Sequence, residues 1–200
     1  MTILDILSPL RQRPGSVRTI GLDDAALLGL AGRYPDLLIA AQRAADCFPS
    51  IAQEFADLID ADEQTQIDAT QAGFINFYPD DAINPYVAIA ACGPWVITLK
   101  GRVLHDSGGY GMLGFGHTPE AVIAAMAKPQ VMANIMSPSL SHLRVANALR
   151  REIGHTRGVC PYARFLTLNS GSESVSLAGR IADTNTKLMT DPGARHEGKR

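Results

Sequence analysis

Two hundred residues with 46% apolar and 19% charged side chains are enough to bury a full core as one or two domains. A net charge of −2 gives no electrostatic footing for nucleic acid or an anionic membrane surface. Three widely spaced cysteines, Cys47, Cys92 and Cys160, suit a reducing compartment rather than a disulfide frame.

In chain order, the first seventy residues read as helical. Asp23 can cap a helix over Asp24 to Leu30. Pro35 suits a helix start, with Leu37, Leu38, Ala41, Ala44, Ala45 and Phe48 as its apolar face. Ser50 is placed to cap another helix, with Ile51, Phe55, Leu58 and Ile59 on one side. Residues 8–19 hold Pro9, Pro14, Gly15, Arg11, Arg13 and Arg18, with Arg33 near the next turn. They read as a solvated arm or a partner-facing loop.

Residues 73–106 are aromatic and turn-rich. Trp95 to Leu99 and Val103 to Asp106 are strand-like runs around Lys100-Gly-Arg102, the pattern of a β-hairpin. Gly109-x-Gly111-x-x-Gly114 follows and matches a dinucleotide fingerprint. The match is rejected because Thr118-Pro119 delays the helix and no acid falls between Glu120 and Glu152. The apolar helix 119–128, with Thr118 as its cap, should be buried and ends at Pro129. A second helix would turn Leu143, Ala146, Leu149 and Ile153 inward.

Phe165 to Leu168 reads as a short buried strand, Asn169-Ser170-Gly171 as a turn, and Ser172 onward as a helix carrying Val175, Ala178, Ile181 and Ala182 at helical spacing. Ser170 and Glu173 match a capping box. A strand, tight turn and helix N-terminus aim backbone N–H groups and a helix dipole at one point, which suits a phosphate. Gly171 would let a ligand approach and Ser172 would add a hydroxyl. A capped helix with nothing bound fits the same four residues. Thr190-Asp-Pro-Gly193 to Arg200 is a turn and a basic tail.

Other chemistries find no footing. There is no P-loop and no G-x-S-x-G elbow, and the scattered histidines give no metal-binding spacing. No apolar run reaches membrane-spanning length and the N-terminus lacks a basic leader, so no membrane partner and a cytoplasmic location are expected.

The order of features is more specific than any one of them. A hairpin, Asp106-Ser-Gly-Gly-Tyr-Gly, Gly114-Phe-Gly-His-Thr-Pro119, an apolar helix, a Ser-rich loop, a second helix and Asn169-Ser-Gly-Ser-Glu with Ala178-Gly-Arg180 together resemble the class III pyridoxal-phosphate aminotransferases, the ω- and 4-aminobutyrate-type group. The resemblance covers residues 84 to about 183.

It implies an α/β chain, the N-terminal part of a fold-type I pyridoxal-phosphate-dependent transferase. Residues 1–72 would form a helical extension, 73–125 a small-domain hairpin and glycine loop, and 126–200 the start of the large cofactor domain. Gly171 and Ser172 would hold the phosphate of pyridoxal 5'-phosphate. Tyr110 would line the substrate pocket, although a packed aromatic fits it equally. The loop Ser137 to Ser141 would lie near a homodimer interface. Small amines and keto acids would be the substrates, without nucleic acid.

The chain departs from the family at Ser174, where alanine is usual, and in its long N-terminal extension. Lys100, Lys128, Lys187 and Lys199 do not occupy the family's catalytic position. No catalytic residue is assigned in this chain, and the Schiff-base lysine is expected beyond Arg200. Decarboxylases, racemases and aminomutases share the frame, and a non-catalytic half-enzyme or a phosphate-binding module are the readings of another class.

Overall fold

The computed structural model describes the chain except residues 76–78, 80–81, 83–84, 108–113, 132–135 and 200. It is mixed α/β, with two compact units, residues 1–128 and 129–200.

The first unit contains α1 (Ile3–Arg11), α2 (Asp24–Ala31), α3 (Pro35–Glu54), α4 (Ala56–Ile59), α5 (Glu63–Gln71), β1 (Ala88–Cys92), β2 (Trp95–Thr98), β3 (Val103–His105) and α6 (Glu120–Met126). The sheet is antiparallel in the order β1-β2-β3. The expected hairpin is β2 and β3, with Trp95 opposite His105 and Ile97 opposite Val103. Gly101 makes its turn at φ +68, a conformation that favours glycine. β1 completes the sheet. Its run Ala-Ile-Ala-Ala-Cys has little β propensity of its own.

β2 is the central strand, and all four of its side chains are buried. Trp95 and Ile97 join one core with Ile3, Leu7 and Leu10 of α1, Leu27 of α2 and Leu37, Ala41, Ala44 and Phe48 of α3. Helices α1 to α4 and the hairpin therefore share a single apolar core. Asp23 caps α2 as expected, accepting from the Ala26 N–H at 2.7 Å, and Pro35 opens α3.

Two helix expectations need correction. Ser50 caps nothing, because α3 runs on through Pro49 to Glu54. The Ser50 hydroxyl instead donates to the Cys47 carbonyl at 2.8 Å. Burial of Leu37, Ala41, Ala44 and Phe48 along the helix outweighs the amide lost at Pro49. Thr118 likewise does not cap α6. Its φ of +54 places it in the left-handed region, its hydroxyl donates to the Ala91 carbonyl at 3.1 Å, and Pro119 takes the cap position. Nor is α6 buried, although apolar: hydrophobicity creates the drive to burial, but covering surface must come from neighbouring elements.

The second unit contains α7 (Leu140–Gly154) and α8 (Gly171–Thr190). Ser139 caps α7, accepting from the Ser141 N–H at 3.1 Å. Of the residues expected to face inward, Leu143 is 55% exposed and Ala146, Leu149 and Ile153 are half-buried. The strand expected over Phe165 to Leu168 does not form. Leu166 and Leu168 are 65% and 41% exposed. An extended run becomes a strand only when another strand satisfies its backbone, and none does so among the described residues. The C-terminal turn folds back on α8, with the His196 and Gly198 N–H groups donating to the Met189 and Thr190 carbonyls.

Candidate functional site

The turn before α8 keeps its cap without its strand. Ser170 stands extended at φ −145 and ψ 158, and its hydroxyl accepts from the Glu173 N–H at 3.2 Å. The Glu173 carboxylate reaches back to the Asn169 N–H at 3.0 Å. The Ser170 cap is thus present, but the expected capping box is not completed, because the Glu173 carboxylate takes the N–H of Asn169 and not that of Ser170. The helix begins at Gly171, one residue before the expected Ser172.

Ser174 N–H donates to the Ser170 carbonyl, closing the first turn. The Gly171 and Ser172 N–H groups have no acceptor among the described residues. A Cβ placed on Gly171 would meet nothing within 4 Å, so ligand approach is unobstructed. Gly171 does not have a positive φ, and its contribution is clearance alone. Twenty residues of helix align their peptide dipoles behind this end. Glu173 is the opposing feature, since its carboxylate already draws on the same positive end. The departure at Ser174 is accommodated, its hydroxyl donating to the Ser170 carbonyl at 3.0 Å.

Gly171 and Ser172 therefore lie side by side at an open helix terminus. Tyr110, and the glycines at 108, 109 and 111, fall outside the described residues. Of the lysines, Lys128, Lys187 and Lys199 are exposed. Lys100 is buried in the first unit, donating to the carbonyls of Pro14 at 2.5 Å and Ile59 at 3.3 Å.

The structure also assembles a polar centre that spacing did not reveal. His117 Nε2 lies 3.1 Å from Asp106 Oδ2, with both side chains about three-quarters buried. The backbone holds this geometry. Gly93 and His117 exchange both N–H bonds, at 3.0 and 2.7 Å, and the Asp106 N–H donates to the Pro94 carbonyl at 2.7 Å. Gly116, at φ +73, packs so closely on Gly93 that a Cβ would come within 2.8 Å of its backbone.

Two clefts meet at the pair. One, of about 410 Å³, includes Asp36, His105, Ser107 and Phe115; the other, about 380 Å³, includes Tyr86, Ile89 and Val96. Burial, reinforced by the Asp106 charge, pushes the Tyr86 phenol up. Asp106 and His117 are eleven positions apart, too far for a helix or strand periodicity to announce. The Gly93–His117 bridge and the Asp106–Pro94 bond bring them together.

Among the described residues no cluster of His, Cys, Asp and Glu is arranged to hold a metal ion, and no helix is long and apolar enough to cross a membrane. No family model, curated protein or solved structure matches the chain.

Proposed function

We propose that this chain carries the phosphate grip of a class III pyridoxal-phosphate-dependent aminotransferase with a fold-type I frame. The reading rests on the ordered motifs from Asp106 to Arg180. The observation that carries it is the start of α8, where the Gly171 and Ser172 N–H groups have no acceptor among the described residues and Gly171 faces open space. That arrangement fits a phosphate, which takes backbone N–H donors at a helix N-terminus. Bound there, the cofactor supplies the electron sink for amino transfer between an amine and a keto acid or aldehyde.

The chain's own contribution is positional. Ser170 fixes the first turn, Gly171 leaves clearance, and Ser172 offers its N–H and hydroxyl. The Glu173 carboxylate stays on the Asn169 side of the turn, bonded to that residue's N–H. No lysine of the chain is assigned the covalent role.

The test is a titration of pyridoxal phosphate, with pyridoxal as the phosphate-free control, into the protein and three variants. Ser172→Ala keeps the backbone donor and loses a hydroxyl bond to a charged group, worth roughly 1.5–3 kcal/mol. Affinity should fall by about tenfold to a hundredfold. Gly171→Val should bind more weakly still, because its side chain fills the clearance. Neither should lower the melting temperature appreciably. Ser170→Ala should destabilise by about 1 kcal/mol through the lost cap. Unchanged affinity in both Ser172→Ala and Gly171→Val would leave α8 as a capped helix and end the reading.

A further inference from the structure

Residues 12–19, between α1 and α2, are fastened to the α4–α5 corner almost wholly by polar contacts. Arg13 grips both carboxylate oxygens of Asp60, with Nε–Oδ1 at 2.8 Å and Nη2–Oδ2 at 2.9 Å. The Ser16 N–H donates to Asp62 Oδ1 at 2.6 Å, and the Ser16 carbonyl accepts from the Glu63 N–H at 3.0 Å. Glu63 Oε2 accepts from the Arg18 and Thr19 N–H groups, both at 2.7 Å. Arg18 also reaches the Gln64 side chain. Gly15 lies against the Ala61 carbonyl and Lys100 Nζ with no room for a Cβ. Apolar anchoring is slight, since Val17 is 36% exposed and Pro14, Gly15, Ser16 and Arg18 are all exposed.

Beneath the segment lies a buried ionic group. Lys100 is 3% exposed and Glu63 is 1% exposed. The Lys100 ammonium rests on the Pro14 and Ile59 carbonyls, and its opposing charges are the carboxylates of Asp60, Asp62 and Glu63. Glu63 Oε1 and Gln66 Oε1 are both buried without a hydrogen-bond partner among the described residues, so hydration of this corner would satisfy two acceptors that folding leaves unmatched.

We propose that residues 12–19 form an acid-released strap, fastened by Asp60, Asp62 and Glu63 over Lys100 and opening in acid while the apolar core stays folded. The physical drive is double. Protonation weakens the charge-assisted bonds from Arg13, Ser16, Arg18 and Thr19. It also strips a buried ammonium of its counter-charges, and an unpaired buried charge is far costlier than a hydrated one. The charged groups facing the strap are Asp60, Asp62 and Glu63 from the α4–α5 corner and Lys100 from the β2–β3 turn. Arg13 and Arg18 belong to the strap itself. Arg11, at the end of α1, is engaged by Asp24 and the Gly101 carbonyl. The core of Leu7, Ala44 and Ile97 contains no ionisable side chain that needs the same protons.

Amide hydrogen exchange by NMR, normalised for intrinsic rates between pH 7 and pH 2.5, which reaches below the lowered carboxyl value of Asp62, tests the strap. Ser16, Arg18 and Thr19 should lose protection at least tenfold while Leu7, Ala44 and Ile97 hold theirs. Glu63→Gln at pH 7 should reproduce the loss at Arg18 and Thr19. Lys100→Met, which removes the buried charge and so one of the two drives, should weaken the acid response. Strap and core amides losing protection together, or a strap protected throughout, would overturn the proposal, as would a full acid response in Lys100→Met. If Glu63→Gln does not fold, the wild-type series and Lys100→Met decide.

Discussion

At Lys100 an ammonium is held inside the first unit by backbone carbonyls. Burial lowers its pKa, with Asp60, Asp62 and Glu63 opposing the fall. The folded value is therefore below the unfolded one, and the unfolded chain binds more protons in the interval between them. Stability should rise as pH increases through that alkaline interval. Denaturant midpoints from pH 8 to 11 should rise in wild type relative to Lys100→Met, the comparison cancelling the opposite trend from Cys47, Cys92 and Tyr86, whose pKa values burial raises. Asp62 behaves in the opposite pH range. Its bonds from Ser16 lower its carboxyl pKa. Its contribution is complete above the unfolded carboxyl pKa and disappears as pH falls through the lower folded value, the direction in which the strap opens. Neither effect was legible in sequence, where Lys100 reads as a hairpin-turn residue and nothing singles out Asp62. What alters them is contact with a segment more than forty residues away.

The helices show how far local signals reach. Asp23, Pro35 and Ser170 sit at or beside the helix starts they mark. A cap acts through atoms within four residues, so its chemistry is written locally. Ser50 and Thr118 carry the same chemistry and cap nothing, because packing carried α3 past one and the Ala91 carbonyl engaged the other. Pro49 sits exposed inside α3. Pro49→Ala would restore an amide donor to the helix and remove the ring's conflict with the preceding turn. A proline in a helix interior costs about 3 kcal/mol relative to alanine in hosts that adapt little. A gain of about 1–3 kcal/mol in denaturant-derived stability, with α3 helicity retained, is expected; a loss would show that the ring has a packing role.

Across the whole molecule the two units differ in charge and burial. Residues 1–128 carry eight Lys and Arg against fifteen Asp and Glu, while residues 129–200 carry ten against five. The overall net of −2 conceals a first unit near −7 and a second near +5. The first unit closes a core of helices on a sheet, whereas neither α7 nor α8 buries an apolar side chain. Helices stabilised mainly by their own backbone bonds and caps open easily. Hydrogen exchange at pH 7 should therefore be at least a hundredfold faster in α7 and α8 than in α3 and β2. Equal protection in both units would refute this contrast.

Sequence alone determined what depends on near neighbours: the cap of α2, the start of α3, the β2–β3 hairpin and the Ser170-capped turn with Gly171 and Ser172 at its mouth. These features are set by backbone sterics and hydrogen bonds spanning only a few residues, which side-chain type can encode directly. Tertiary structure decided the rest. It added β1 to the hairpin, left Phe165 to Leu168 without a ladder, kept α6 uncovered, joined Asp106 to His117 through Gly93 and placed Lys100 beneath residues 12–19. Each of these outcomes depends on which distant surface arrives to satisfy a strand edge, an apolar face or a buried charge. That partner is fixed by packing, and spacing within the element cannot name it.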